Sequence, residues 1–216
     1  EFGRKGMLSR DIAANAPDFR DMAPKTAFYA TEDQMQLEPT ALPDVLVLTP
    51  RRFGDARGWF SESWNAQTFA AAGITLDFVQ DNHSYSAQKG TLRGLHYQSA
   101  PHAQDKLVRC TRGAIFDVAV DYRVGSPHFG QWVGVELTAD TGKQLLVPKG
   151  FLHGFLTLTP DTEVQYKCTD VYAPACDGAV RWDDPDLAID WPLGGATPRC
   201  RYAASVATRP RGVRCR

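Results

Sequence analysis

From Pro43 onward, short β-branched and aromatic runs alternate with clusters of Gly, Pro, Asp and Thr. Runs of this kind bounded by turn residues predict strands. They fall at Val45–Leu48, Trp59–Trp64, Leu76–Gln80, Leu107–Arg112, Ile115–Val120, Trp132–Thr138, Gln144–Val147, Phe151–Leu158, Glu163–Cys168 and Ala179–Trp182. A single helix interrupts the series, with Asn65 placed to cap Ala66–Ala72 and Gly73 to close it. Many short strands, one helix and no βαβ alternation predict an all-β fold, best met by a cupin-like, double-stranded β-helix jelly roll with a few short helices. Alternation such as Phe116-Asp117-Val118-Ala119-Val120-Asp121 lets one face of a strand carry polar groups into a cavity.

The texture also divides the chain. Residues 1–42 show no sustained period and read as an N-terminal extension without regular structure, 43–192 as the jelly-roll domain, and 193–216 as a divergent, Arg-rich tail. The 24 basic and 25 acidic side chains nearly cancel, so no long-range field draws the molecule to nucleic acid or to an anionic membrane. No apolar stretch approaches the roughly 20 residues of a bilayer span, and the first 40 residues hold no apolar signal core. A cytoplasmic location is expected. Cys110, Cys168, Cys176, Cys200 and Cys215 are odd in number and widely spaced, which favours reduced thiols over disulfides or a structural zinc.

The densest candidate chemistry is Thr91-Leu92-Arg93-Gly94-Leu95-His96-Tyr97-Gln98. Strict alternation puts Arg93, Leu95 and Tyr97 on one face and Gly94, His96 and Gln98 on the other. Facing a cavity, His96 is suited to general-base work near neutral pH; the pattern fits a buried, hydrogen-bonded histidine equally well. Lys106 opens the next strand, where it is either a cation beside the same cavity or a solvated edge lysine. His153 stands between glycines, and Tyr166 and Tyr172 offer phenols as proton donors or as packing. A catalytic metal is not expected, because Gln98 stands where a second histidine would be wanted and His153 has no nearby ligand partner. The chain has no Walker loop, no strand-linked GxGxxG and no GxSxG, which removes P-loop, Rossmann and hydrolase readings.

Taken together, Arg57-Gly58-Trp59-Phe60-Ser61-Glu62, Gln80-Asp81-Asn82, Leu92 through Gln98, Gly130 through Val135, Val147 through Phe155, Tyr166-Lys167 through Tyr172, Trp182 through Pro185 and Trp191-Pro192 resemble, in order, the dTDP-4-dehydrorhamnose 3,5-epimerase family. The resemblance spans about Pro43 to Pro192. It implies a homodimeric jelly roll without a cofactor that exchanges protons at the two carbons flanking the keto group of a dTDP-4-keto-6-deoxyhexose. Carried over residue by residue, His96 resembles the base that forms an enolate, Tyr166 the acid on the other face, and Lys106 the cation that stabilises the enolate oxygen. Arg93 resembles a group that positions the sugar nucleotide. Arg57, Phe60 and Glu62 match positions that reach substrate partly across the dimer interface. Gln80, Asn82, His153 and Tyr172 match substrate-binding positions, Tyr172 as a base-stacking aromatic, and Asp117 a supporting one.

One departure stands out. The family carries an aspartate beyond Trp-Pro that pairs with the histidine, whereas here no acid follows Asp190 and six arginines and two cysteines fill the tail. The composition reads as a divergent or frameshifted end. Inversion at a single carbon (C3 or C5) and a non-catalytic sugar-nucleotide-binding jelly roll therefore stand beside the double epimerase.

Overall fold

A computed structural model describes residues 35–195 and 197–200. Its strands are β1 (Met35–Pro39), β2 (Leu46–Pro50), β3 (Phe53–Asp55), β4 (Gly58–Phe60), β5 (Gln80–Ser86), β6 (Thr91–Gln98), β7 (Lys106–Arg112), β8 (Ala114–Asp121), β9 (Trp132–Thr138), β10 (Gln144–Val147), β11 (Phe151–Thr157), β12 (Thr162–Cys168), β13 (Asp177–Ala179) and β14 (Arg199–Cys200). Helix α1 (Ala66–Ala71) follows β4. One sheet runs β1-β2-β10-β7-β12-β5; the other runs β13-β6-β11-β8-β9, with β14 parallel to β6. The remaining pairings are antiparallel, which gives the two-sheet jelly roll that the strand pattern predicts.

Alternation along the strands builds three apolar layers. Between the sheets, Val47, Val108, Leu145 and Val164 of the first meet Ala119, Val133, Phe151 and Phe155 of the second. Full burial of each large apolar side chain contributes about 1.5–3 kcal/mol, so this layer supplies much of the driving force. The outer face of the second sheet, with Leu92, Leu95, Val118 and Leu152, is covered by the chain's own Val180, Leu187 and Trp191. The outer face of the first sheet, with Leu48, Leu107 and Leu146, is covered by Phe69 and Ile74 with Trp64, Leu76 and Phe78 against them.

Helix α1 forms as expected. The Asn65 side chain accepts from the Gln67 and Thr68 amides, at 2.8 and 3.4 Å, and Gly73 leaves the helix at φ +85°. Three expected strands are corrected, among them Ala179–Trp182, of which only Ala179 lies in a strand before the chain turns at Trp182. Leu76–Gln80 enters a ladder only at Gln80, because Leu76 and Phe78 pack under the helix segment instead of lining a sheet. Trp59–Trp64 pairs only through Phe60, after which the chain turns away to bury Trp64 and cap α1. Met35–Pro39, within the expected extension, pair with β2 along their whole length.

Candidate active site

The two sheets part at one end around a cavity of about 490 Å³, within the range that holds a small-molecule ligand. Gln80, Asn82 and Ser84 of β5, with Lys106 of β7 and Tyr166 and Cys168 of β12, face it from the first sheet. Arg93, His96 and Gln98 of β6 and His153 and Phe155 of β11 face it from the second. Tyr172, Gln104 and Asp177 line its rim. Of the residues singled out in the sequence, Gln80, Asn82, Arg93, His96, Lys106, His153, Tyr166 and Tyr172 thus share one space.

Arg93 and His96 meet there because β6 does not alternate strictly. His153 pairs with His96 and Phe155 with Arg93, so β6 spends three steps where β11 spends two. This β-bulge reverses the phase of the strand. Leu92, Leu95 and Tyr97 go to the outer apolar layer, and Arg93, His96 and Gln98 turn inward. The expectation that Arg93 shares a face with Leu95 and Tyr97 is corrected accordingly. Glycine is required at the bulge: Gly94 sits at φ +126°, and a Cβ there would lie 2.5 Å from the Gly154 Cα.

Burial sets the electrostatics. Loss of solvent pushes His96 below the ordinary histidine value, with the Asp177 carboxylate pulling it back up and Lys106 and His153 pushing further down. Burial also lowers Lys106, against the opposing charges of Cys168, Asp177 and Asp117. The Tyr166 phenol moves up through burial, helped by Cys168 and opposed by Arg93. His96 is thereby held neutral and able to accept a proton, while Tyr166 is held protonated and able to give one. They come from facing sheets.

Behind His96, His153 Nε2 lies 2.8 Å from Asp117 Oδ1, and the Asp117 carboxylate is fully buried with Oδ2 unpartnered. The Asp117 carboxylate fixes the orientation of the His153 ring. Arg93 donates to Ser86 Oγ and to the Tyr85 carbonyl, which hold its guanidinium at the cavity edge. Among the described residues no three His, Cys, Asp or Glu side chains converge as metal ligands. Cys110, Cys168 and Cys176 are free thiols.

Arg57, Phe60 and Glu62 do not line this chain's cavity. Arg57 sits at the β3–β4 turn, 90% exposed in its side chain and paired with Asp55. Phe60 is 68% exposed, and Glu62 accepts from the Asn65 amide and the Thr68 hydroxyl. The tail beyond Cys200, where the partner aspartate of His96 was looked for, lies outside the described residues, as do residues 1–34. Asp177, which sequence reasoning missed, supplies the carboxylate charge that acts on His96. Ser84 and Gln104, which lie outside any motif, and Phe155 and Cys168, which lie inside motifs but are apolar or weakly polar, also go unassigned in the sequence reading.

A family model for dTDP-4-dehydrorhamnose 3,5-epimerase matches residues 39–209. The chain belongs to the dTDP-4-dehydrorhamnose 3,5-epimerase family. Among its relatives in this family, the Escherichia coli K12 dTDP-4-dehydrorhamnose 3,5-epimerase is 55% identical over 159 residues, 73% of this chain and 85% of that one. The crystal structure of the Bacillus anthracis dTDP-4-dehydrorhamnose 3,5-epimerase with TDP and PPi bound is 51% identical, with a TM-score of 0.74 over 77% of this chain and 94% of that one. A Legionella pneumophila dTDP-6-deoxy-D-glucose-3,5-epimerase in complex with dTDP-4-keto-L-rhamnose is 49% identical, with a TM-score of 0.72 over 75% and 86% of the two chains. The epimerase family match reaches past Pro192 and so takes in part of the Arg-rich tail.

Proposed function

We infer that this protein inverts C3 and C5 of a dTDP-4-keto-6-deoxyhexose, as its epimerase family relatives are named for doing, on the path to dTDP-rhamnose. The observation that carries the reading is the placement of His96 and Tyr166 on facing sheets, with Lys106 beside them, in one cavity. Protons on the carbons flanking a ketone are acidic because the charge left behind moves onto the carbonyl oxygen. His96 takes such a proton from one face of the sugar, and Lys106 stabilises the enolate oxygen. Tyr166 then returns a proton from the opposite face, which inverts the carbon; repetition at the second carbon completes the reaction. Arg93, His153, Gln80 and Asn82 hold the sugar nucleotide, Tyr172 stacks on its base, and Asp117 orients His153.

The working unit is a homodimer. Arg57 and Phe60 project on the exposed β3–β4 hairpin and Glu62 follows it, away from their own cavity, which suits a contribution to a partner's site. Among the described residues no helix is long and apolar enough to cross a membrane. A cytoplasmic location goes with this reading.

Solvent deuterium incorporation into dTDP-4-keto-6-deoxyglucose, followed by NMR, tests the reading. Exchange at both C3 and C5 that disappears in His96→Ala is the expected result. Exchange at one carbon alone would make the protein a single-carbon epimerase. Tight binding of the nucleotide without exchange would make it a non-catalytic binder, the outcome that the missing tail aspartate favours.

A further inference from the structure

Gln98 lies two residues from His96 on the inward face of β6 and is 5% exposed. Its carboxamide looks like a substrate ligand by position, yet its hydrogen bonds are already committed. Oε1 accepts from the Ala173 amide at 2.7 Å, and Nε2 donates to the Val171 carbonyl at 3.2 Å and to the His102 carbonyl at 2.7 Å. Both donors are spent, as is one of the two acceptor sites. Val171 and Ala173 flank Tyr172, so one side chain grips the backbone on either side of that residue.

A second glutamine grips Tyr172 from the other sheet. Gln80, the first residue of β5, accepts from the Tyr172 amide through Oε1 at 2.9 Å. Gln104 adds a third strut, donating to the Asp170 carbonyl at 2.7 Å, and the Asp170 carboxylate meets His102 Nδ1 at 3.2 Å. The Tyr172 ring is 57% exposed, and its hydroxyl lies 3.5 Å from Asp177 Oδ2 of β13. The backbone that carries this ring, residues 170–173, is pinned to β5 of one sheet and β6 of the other.

We propose that Gln98 is a positioning residue that sets the distance between the nucleotide-binding tyrosine, Tyr172, and the proton-abstracting strand that carries His96. The inference rests on the reading of the cavity as a dTDP-sugar site. With both donors and one acceptor site committed to backbone, Gln98 links the loop that orders the nucleotide to the strand that does the chemistry. A substitution that frees the loop lets the nucleotide bind loosely while leaving His96, Lys106 and Tyr166 in place.

The test is a double-mutant cycle on dTDP binding, with steady-state kinetics alongside. Gln98→Leu is expected to weaken dTDP binding and raise KM by about tenfold, with kcat falling by less. In a Tyr172→Ala background the same change should add little, because no ring remains to be positioned; such non-additivity is the mark of coupled residues. Gln104→Leu, which releases the loop at Asp170 without altering β6, should give the same signature, and it answers the question if Gln98→Leu fails to fold. Equal losses in the wild-type and Tyr172→Ala backgrounds would overturn the proposal. A fall in kcat with KM and dTDP affinity unchanged would overturn it too, by assigning Gln98 to His96 alone. Wild-type protein that does not bind dTDP would instead sink the nucleotide-site reading, and this inference with it.

Discussion

His96 and Lys106 are both displaced downward by burial, and the signs decide the pH dependence. A base works only when neutral, so a lowered His96 stays competent below the ordinary histidine value of about 6.5, and activity should fall on the acid side only beneath that point. Lys106 stabilises an enolate only while charged, so the alkaline limb should lie beneath the ordinary lysine value of about 10.4. A pH–rate profile of kcat/KM checks both limbs. The two proton carriers are also separable. Tyr166→Phe removes the acid and leaves the base, so solvent deuterium should still enter the sugar while inverted product falls by about 10²–10⁴-fold, read by NMR against product assay. Lys106→Ala, with the enolate cation gone, should lower kcat by about 10²–10³-fold. His96 and Tyr166 were legible as candidates because each stands in a motif, whereas Lys106, at the start of a strand, read equally well as a solvated edge lysine. Asp177 and Gln104 were not legible, since nothing local distinguishes a rim carboxamide or carboxylate from any exposed one until the chain is folded.

The strand β5, Gln-Asp-Asn-His-Ser-Tyr-Ser, shows what hides an element from a hydrophobicity reading. Its inward residues Gln80, Asn82 and Ser84 line the cavity, so the side that would ordinarily be apolar is polar. The strands of the apolar layer, such as β8 and β11, were plain for the opposite reason. Alternation gave the faces correctly along β8, where Asp117 turns inward to His153, and failed on β6, where a bulge intervenes. The bulge also yields a stability prediction. Gly94→Ala places a methyl group 2.5 Å from the Gly154 Cα and 2.8 Å from the His153 carbonyl, both backbone atoms that cannot swing aside. It should cost about 3 kcal/mol or more, or prevent folding, as measured by the denaturation midpoint. Asn65→Ala at the α1 cap, by comparison, should cost about 1 kcal/mol.

Across the whole molecule, each sheet has its outer face covered by a segment of the same chain, and the hairpin bearing Phe53, Trp59 and Phe60 is left exposed. If this hairpin completes a partner's site, two inactive variants rescue each other. In an equal mixture of Arg57→Ala and His96→Ala after subunit exchange, mixed dimers carry one intact site each, and about a quarter of wild-type activity should return. No recovery, with exchange verified by mass, would confine each site to one chain. The fold was legible from strand spacing alone; the pairing of Met35–Pro39 with β2 was not, because their exposed, mixed side chains carry no period. The extra residue in β6 has a further consequence, for how such a chain can vary over generations. While the bulge is kept, an exchange at Gly94 is barred, because only glycine fits there. A single deletion between Arg93 and His96 would leave two steps opposite two, closing the bulge while His96 still faces the sugar. Insertions and longer deletions should therefore collect in the turns, such as 123–131 and 139–143, while this short span either keeps its glycine or loses one residue. What inheritance has to hold is the inward histidine, which either length of the span delivers.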